Sequence, residues 1–368
     1  MTSIACDTVI VGGGVVGLSI AYGFARRGDR VAVLDEGDVA FRAARGNFGL
    51  VWVQGKGAKN PDYARWTMAA AALWPAFAEE LAAQADTDLQ LCQNGGLSIC
   101  LNQSELETRA SELQALRTQL ASNYPFEVLD AKALRGLVSE VGPEAVGAIY
   151  CPLDGHVSPL RLLHALVTGI QARRGTLLPG HTVENIIPRG GEFEMQAGGK
   201  RFSAGRVVLA AGLGNRALAP MVGLNAPVKP VRGQILVSER IKPFLRLATL
   251  TVRQTGEGVV QIGDSKEDVG FDDSTTIDQL AHIAHRAVRC FPKLQNANLV
   301  RCWGALRVMT PDGYPIYEGS AEYPGAYVIT CHSGITLAAA HAGPLVEWML
   351  GRARFSDIGG FGAERFHV

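Results

Sequence analysis

Apolar and polar positions along this chain follow two alternating rhythms, and the switches between them outline its elements. Thr8–Val11 is a short β-branched run with no polar alternation, the pattern of a strand covered on both faces. Leu18, Ile20, Ala21, Phe24 and Ala25 then recur at helical spacing, Gly28 stops that helix, and Arg30–Leu34 is a second apolar strand ending on Asp35. Phe41–Gly57 is rich in small and turn-forming residues and reads as a loop, with a strand starting at Val51–Val53. Pro61–Ala85 predicts one long helix with Trp66, Leu73, Phe77 and Leu81 sharing a face, Trp66 and Trp74 as core packing, and Pro75 as the point where it kinks or splits. Leu89–Leu101 predicts strands about a Gly95-Gly96 turn. Gln103–Leu120 predicts a polar amphipathic helix capped by Ser104, and Asp130–Val138 a short helix.

From Tyr150 the strand–helix rhythm returns. Pro159 suits the first position of a helix, Leu160–Gln171, which Gly175 ends before a strand at Thr176–Leu178. Val183–Phe202 reads as a hairpin, and Arg206–Gly214 as a buried strand running into a glycine turn. Val228–Ile262 alternates as an antiparallel sheet does, followed by a helix at Thr276–Cys290 and a strand at Asn298–Val308. Thr310–Tyr317 is a Pro/Gly turn. A strand at Ala326–Thr330, a turn at Cys331–Gly334 and a helix at Ile335–Leu350 complete the chain. The fold class is therefore α/β. A Rossmann-like domain is expected from 1–50, 150–220 and 306–368, and an inserted α+β, antiparallel-sheet domain covering a site from 51–149 and 221–305.

The first forty residues carry the clearest chemistry. Gly12, Gly14 and Gly17 have G-x-G-x-x-G spacing, with a strand before them, a helix after them and an acid at the end of the next strand. Gly12 permits the tight turn, Gly14 lets a pyrophosphate approach the backbone, and Gly17 lets helix and sheet pack closely. The helix N-terminus offers unpaired N–H groups to that pyrophosphate. Asp35 can accept hydrogen bonds from ribose hydroxyls, which favours FAD or NAD over NADP. The competing account is a βαβ unit whose glycine turn holds nothing.

Composition excludes several classes. Lys+Arg and Asp+Glu are both 35, so nothing suggests nucleic acid or an anionic membrane as partner. The longest apolar stretch, Val9–Ala25, is broken by glycines and preceded by Asp7, so neither a signal peptide nor a membrane span is expected. Cys6, Cys92, Cys100, Cys151, Cys290, Cys302 and Cys331 form no C-x-x-C pair, so no metal site is expected and a reducing cytoplasm fits. His156 and His164 are isolated and read as capping or core-edge residues.

Taken together, VIVGGGVVGLSIAYGFARRG with VAVLDEG, DGHVSPLRLL, RVVLAAGLGN, PVRGQI, and WGALRVMTPDGYPIY followed by CHSGITLAAA resemble, in order, the D-amino-acid oxidase and sarcosine/glycine oxidase family of FAD-dependent amine oxidoreductases. Within it, GNFGLVWVQGKG, RQTGEGVVQIGDSKEDVGFD and CHSGITLAAAHAG look most like the B subunits of heteromeric opine oxidases, and like subunits of hydrogen cyanide synthase and D-hydroxyproline dehydrogenase. The resemblance implies an FAD-binding domain with Gly12, Gly14, Val15, Val16, Gly17, Asp35 and Glu36 on the ADP moiety. It places Ala44, Arg45, Gly46, Asn47 and Gly49 beside the isoalloxazine, Val183 against adenine, Ala211 and Gly212 near the pyrophosphate, and Gly334, Ile335 and Thr336 at the flavin pyrimidine edge.

Arg307 matches the arginine that holds a substrate carboxylate, and Arg253, with Gln254, is expected to add polar contacts. The chain lacks the second arginine of glycine oxidase and the phenol of D-amino-acid oxidases, which favours a larger secondary amine carrying a carboxylate. It also lacks the motif of the covalently flavinylated members, so FAD is expected to be noncovalent. The reaction implied is hydride transfer from a C–N carbon to the flavin, giving an imine that hydrolyses to an amine and a 2-oxo acid, with partner subunits of a hetero-oligomer taking the electrons. Glycine-, sarcosine- or D-proline-type oxidation, an NAD-linked dehydrogenase and a non-catalytic FAD-binding electron-transfer subunit are the alternatives.

Overall fold

The first apolar run lies in the middle of a sheet. In this computed structural model, which describes residues 4–37 and 43–366, the strand Ile4–Val11 pairs in parallel with Val31–Leu34 on one side and Lys200–Leu209 on the other. Phe41 and Arg42, the start of the expected loop, lie outside the described residues, as do the outermost ends of the expected Rossmann-like domain. Thr176–Leu178 extends the sheet beyond Val31–Leu34, and Ala326–Thr330 followed by the antiparallel Ile316–Gly319 extends it beyond Lys200–Leu209. Strand order thus reverses at Ile4–Val11. That reversal leaves a crevice outside the carboxyl ends of the strands, where the glycine turn sits.

The uniformly apolar runs are explained by burial on both faces. Ile10, Val33 and Val208 pack into a layer of helices, while Val9, Val11, Ala32, Leu34, Val207 and Leu209 pack against a meander. That meander is larger than the expected hairpin, because Val183–Arg189 and Glu192–Ala197 run on into Lys200–Leu209. The helix layer comprises Val15–Ala25, Pro61–Ala85, Pro159–Ala172 and Gly334–Ala342.

Pro75 neither splits the long helix nor leaves a defect. The Ala71 carbonyl, which a proline four residues on cannot serve, accepts a hydrogen bond from Gln93 Nε2 at 2.9 Å. Leu73 faces solvent instead of the core, and its neighbour Trp74 is the buried residue, with its indole N–H donating to the Thr336 carbonyl at 3.0 Å. The last predicted helix is interrupted where Pro344 starts a new one, giving Gly334–Ala342 and Pro344–Met349. Asn102, not Ser104, caps the Gln103–Gln119 helix by accepting from Glu105 N–H at 2.8 Å. Of the Leu89–Leu101 stretch only Gly96–Cys100 is a strand.

Besides the antiparallel pair of Leu50–Val51 with Gly155–His156, the remaining strands form two further four-stranded sheets. One orders Val252–Gln254, Val259–Ile262, Lys229–Arg240 and Leu299–Met309, all antiparallel. The other orders Ala248–Thr249, Gly96–Cys100, Gly147–Cys151 and Glu127–Asp130. Leu97, Ile99, Leu236, Val252, Val260 and Ile262 form a core with Ile283, Ala287 and Phe291. Two of the boundaries expected from sequence, at 149/150 and 305/306, fall inside the strands Gly147–Cys151 and Leu299–Met309.

Candidate active site

The glycine turn is held too tightly for side chains at two positions and left open at the third. Gly12 has φ +110°, and a Cβ there would meet the Ala210 carbonyl oxygen at 2.4 Å; a Cβ on Gly17 would meet the Gly12 oxygen at 1.9 Å. A Cβ on Gly14 would touch only Ala44 Cβ at 3.8 Å, so this position faces open space, as a cradle for a diphosphate requires. Asp35 is drawn onto the turn: Gly13 N–H donates to one carboxylate oxygen at 2.6 Å and Gly37 N–H to the other at 2.8 Å. Each oxygen keeps a free lone pair for a ribose hydroxyl. Glu36, next along, is exposed. These residues fit FAD.

Two more predicted stretches meet the same crevice. Lys200–Leu209 leaves the sheet through Ala211, whose N–H donates to Asn215 Oδ1, and Gly212 at φ +60°. Gly334 opens the last helix against the start of the first, where a Cβ would meet Val15 Cγ1 at 2.8 Å and Val16 Cγ2 at 3.2 Å. Two helix N-termini therefore converge there. Thr336 Oγ1 accepts from Trp52 N–H at 3.1 Å and donates to the Leu50 carbonyl, fixing the last helix to the Leu50–Val51 strand. Val183 packs with Val11 and Leu34 beneath the sheet.

Beyond the turn lies a cavity of about 400 Å³ lined on one side by Gly46, Asn47, Ile335 and Thr336, and on the other by Ile235, Leu250, Ala305 and Arg307. The loop clasps the antiparallel sheet: Trp303 Nε1–H donates to the Gly46 carbonyl at 3.1 Å, and a Cβ on Gly46 would meet Ala305 Cβ at 2.6 Å. Arg45 is exposed on that loop.

Arg307 is in the cavity wall with part of its guanidinium already engaged. Nη1 donates to the Arg232 and Ser265 carbonyls at 3.1 and 2.8 Å, and Nη2 to Asp264. Three of its five N–H donors are taken, which leaves two for a ligand carboxylate.

The structure places Arg253 elsewhere. It is 2% exposed and does not line the cavity. Nε donates to Gln261 at 2.9 Å, Nη1 donates to His156 Nδ1 at 3.2 Å, and a Cβ on Gly49 would meet Nη2 at 3.1 Å. Burial lowers its pKa to about 10. Arg253 supports Gly49 and His156 from behind, and a direct contact with substrate, as read from sequence, is not what the geometry offers. Gln254 is likewise consumed by the backbone of Phe244, Leu245, Ile241 and Gly258.

Sequence reasoning missed the cations and hydroxyls nearest Arg307. Lys56 lines the cavity and donates to Ser333 Oγ at 2.7 Å, which also accepts from Tyr63 OH at 2.8 Å. Burial first, and then the positive charges of Lys266 and Arg307, lower Lys56 to about 8. His332 is driven well below its ordinary range by burial and then by Lys56, Arg307 and Lys266, so its imidazole is neutral. Asp154, pushed up to about 7 by burial, accepts from Val53 N–H and from Gln54 Nε2 and so fixes the segment before Lys56. The available signal was Lys56 standing between Gly55 and Gly57 in a loop already assigned to the site. Among the described residues no three His, Cys, Asp or Glu side chains are grouped to hold a metal ion, and no helix is long and apolar enough to cross a membrane.

Over residues 7–348 the chain matches the DAO family of FAD dependent oxidoreductases. The chain belongs to that family. This FAD-dependent oxidoreductase is 43% identical over 363 residues to the B subunit of opine oxidase from Agrobacterium tumefaciens (strain Ach5), with 98% of both chains covered. It is 31% identical to hydrogen cyanide synthase subunit HcnC of Pseudomonas aeruginosa, covering 98% of this chain and 96% of that protein. Its fold matches the crystal structure of glycine oxidase from Geobacillus kaustophilus with a TM-score of 0.91 at 24% identity, covering 98% of each chain.

Proposed function

We propose that this FAD-dependent oxidoreductase oxidises the C–N bond of an opine-like secondary amino acid, giving an imine that hydrolyses to an amino acid and a 2-oxo acid. The observation that carries the reading is Arg307, with two donors to spare, in the wall of a cavity that opens directly onto the flavin-side loop and the start of the last helix. The similarity to a component of opine oxidase supports the substrate class. That protein and HcnC are both named as subunits, which supports assembly with partner chains that take the electrons.

Gly12, Gly14, Val15, Val16, Gly17, Asp35 and Glu36 would hold the ADP moiety of noncovalent FAD, with Val183 at the adenine. Ala211 and Gly212 would adjoin the pyrophosphate, and Ala44, Arg45, Gly46, Asn47, Gly49, Gly334, Ile335 and Thr336 the ring system. FAD, when bound, supplies the hydride acceptor. Arg307 fixes the substrate carboxylate and with it the direction of the α-carbon. Trp52, Ile235, Leu250 and Val308 exclude water, and His332 enters the cavity as a neutral group. With the substrate amine bound neutral, orientation and desolvation suffice and no protein base is required. The segments 51–149 and 221–305 would serve as the substrate domain. Cytoplasmic residence is part of the proposal, since the seven cysteines are unpaired.

The test is an anaerobic absorption titration of the purified protein with octopine, nopaline, sarcosine, D-proline and glycine in turn. Bleaching of the flavin band by an opine is expected. Bleaching by glycine or D-proline and by no opine would overturn the opine assignment, and a band that no amine bleaches would overturn C–N oxidation by this chain.

A further inference from the structure

Lys56, Arg109, Lys266 and Arg307 line the cavity against Glu112 and Asp264, so the charges around it do not balance; Arg109 has Glu105 as its partner, and the surplus lies away from Arg307. Arg307 has Asp264 as counter-ion. Lys56 and Lys266 line the same cavity, and among the described residues neither has a carboxylate within ion-pair distance. Lys56 is held in place all the same. It rises between Gly55 and Gly57, whose φ values are +72° and +75°, and its Nζ donates to Ser333 Oγ. Tyr63 donates to that same oxygen, so Ser333 Oγ serves as a fixed post for the ammonium. Lys266 stands exposed at the rim, directly after Ser265, whose carbonyl accepts from Arg307. The buried acid Asp154 is committed to Val53 and Gln54. An ammonium taken out of water with no counter-ion is costly, and the lowered pKa of Lys56 records that cost. An anionic group entering the cavity would remove it.

We propose that Lys56 and Lys266, with Ser333 fixing the former, form a second anion subsite that takes a carboxylate on the far side of the substrate nitrogen from the one held by Arg307. The inference rests on the C–N oxidation of an opine-like amine proposed above and assigns residues to the second carboxylate such an amine carries, on the carbon across nitrogen from the one held by Arg307. Cleavage of such an amine leaves one carboxylate on the amino acid and the other on the 2-oxo acid, so both products keep the group by which their half was bound. Lys56 and Lys266 are specificity-determining residues for the carboxylate and take no part in hydride transfer.

The test compares two ligands that differ by one carboxylate, iminodiacetate and sarcosine, by the perturbation each causes in the flavin spectrum of the holoprotein. This reads binding whether or not reduction follows. Wild type should bind iminodiacetate tighter than sarcosine. Lys56→Met and Lys266→Met should each raise the iminodiacetate Kd about 10-fold while moving sarcosine less than about 3-fold, a difference set by one charged hydrogen bond. FAD content should be unchanged, and Lys56→Arg should restore part of the preference. Equal weakening of both ligands, or no change in either, would overturn the subsite. If iminodiacetate binds with the expected lysine dependence and no amine ever reduces the flavin, the subsite stands and the oxidation reading falls. If amines reduce the flavin regardless of these lysines, the reverse holds.

Discussion

At the scale of single residues, the informative groups are the buried titratable ones. His341 is fully buried, shares a hydrogen bond between its Nε2 and Tyr317 OH at 2.8 Å and has no partner for Nδ1 among the described residues, while Trp66 Nε1–H donates to the same phenol. Burial lowers His341 from 6.5 to about 3, and burial with the nearby Arg253 charge does the same to His156. Both are neutral when folded and protonate on unfolding below pH 6.5. Their stabilising contribution is therefore complete above pH 6.5 and is lost as pH falls toward about 3, at roughly 1.4 kcal/mol per pH unit for each group. Thermal melts across that range should show a shallower acid limb for His341→Gln than for wild type; parallel limbs would refute the linkage. Arg307→Ala should raise the substrate KM some 10- to 100-fold with FAD retained, as loss of a charged hydrogen bond of about 1.5–3 kcal/mol requires. An unchanged KM would show that Arg307 serves only Asp264 and the two carbonyls. The place of Arg307 in the cavity wall was legible through the family resemblance, whose carboxylate-holding arginine it matches. The standing of Arg253 was not, because Val252, Arg253 and Gln254 are all buried and alternation alone does not tell which face of that strand meets the cavity.

Among the elements, the long helix shows how a local rule can be met by a distant partner. A proline within a helix ordinarily costs about 3 kcal/mol, in part through an orphaned carbonyl. Here Gln93 serves that carbonyl and also donates to the Leu153 carbonyl at 2.9 Å. Gln93→Ala should destabilise by about 1–3 kcal/mol alone and by distinctly less beside Pro75→Ala, which restores the N–H donor to Ala71. Additive effects in denaturant titrations would refute the coupling. The existence and type of the Rossmann-like elements were readable because glycine turns and apolar runs report local geometry. The burial of Trp66 and Trp74 was readable too, whereas the unbroken helix was not, since it depends on a group beyond the helix, Gln93.

For the whole molecule, the cradle is assembled from segments separated by hundreds of residues: Gly12–Gly17, Asp35, Ala211–Gly212 and Gly334–Thr336. A ligand that joins them must stabilise the native state by mass action. FAD at one hundred times its Kd should add about 2.7 kcal/mol, and stripping it should lower the melting temperature and make that temperature depend on added FAD. A melting curve indifferent to FAD would count against the cradle. Motif order predicted that these segments meet, and they do meet at one crevice, whereas the charge surplus at Lys56 and Lys266 appears only once the loop and the sheet are brought face to face. The clasp between Gly46 and Trp303 has a consequence for how such proteins diversify. The Gly46 loop and the antiparallel sheet are interlocked at a point where even a methyl group does not fit. A sheet transplanted from a relative would arrive without its matching loop, so chimeras that exchange substrate preference should succeed only when the crossover carries both parts as a single cassette.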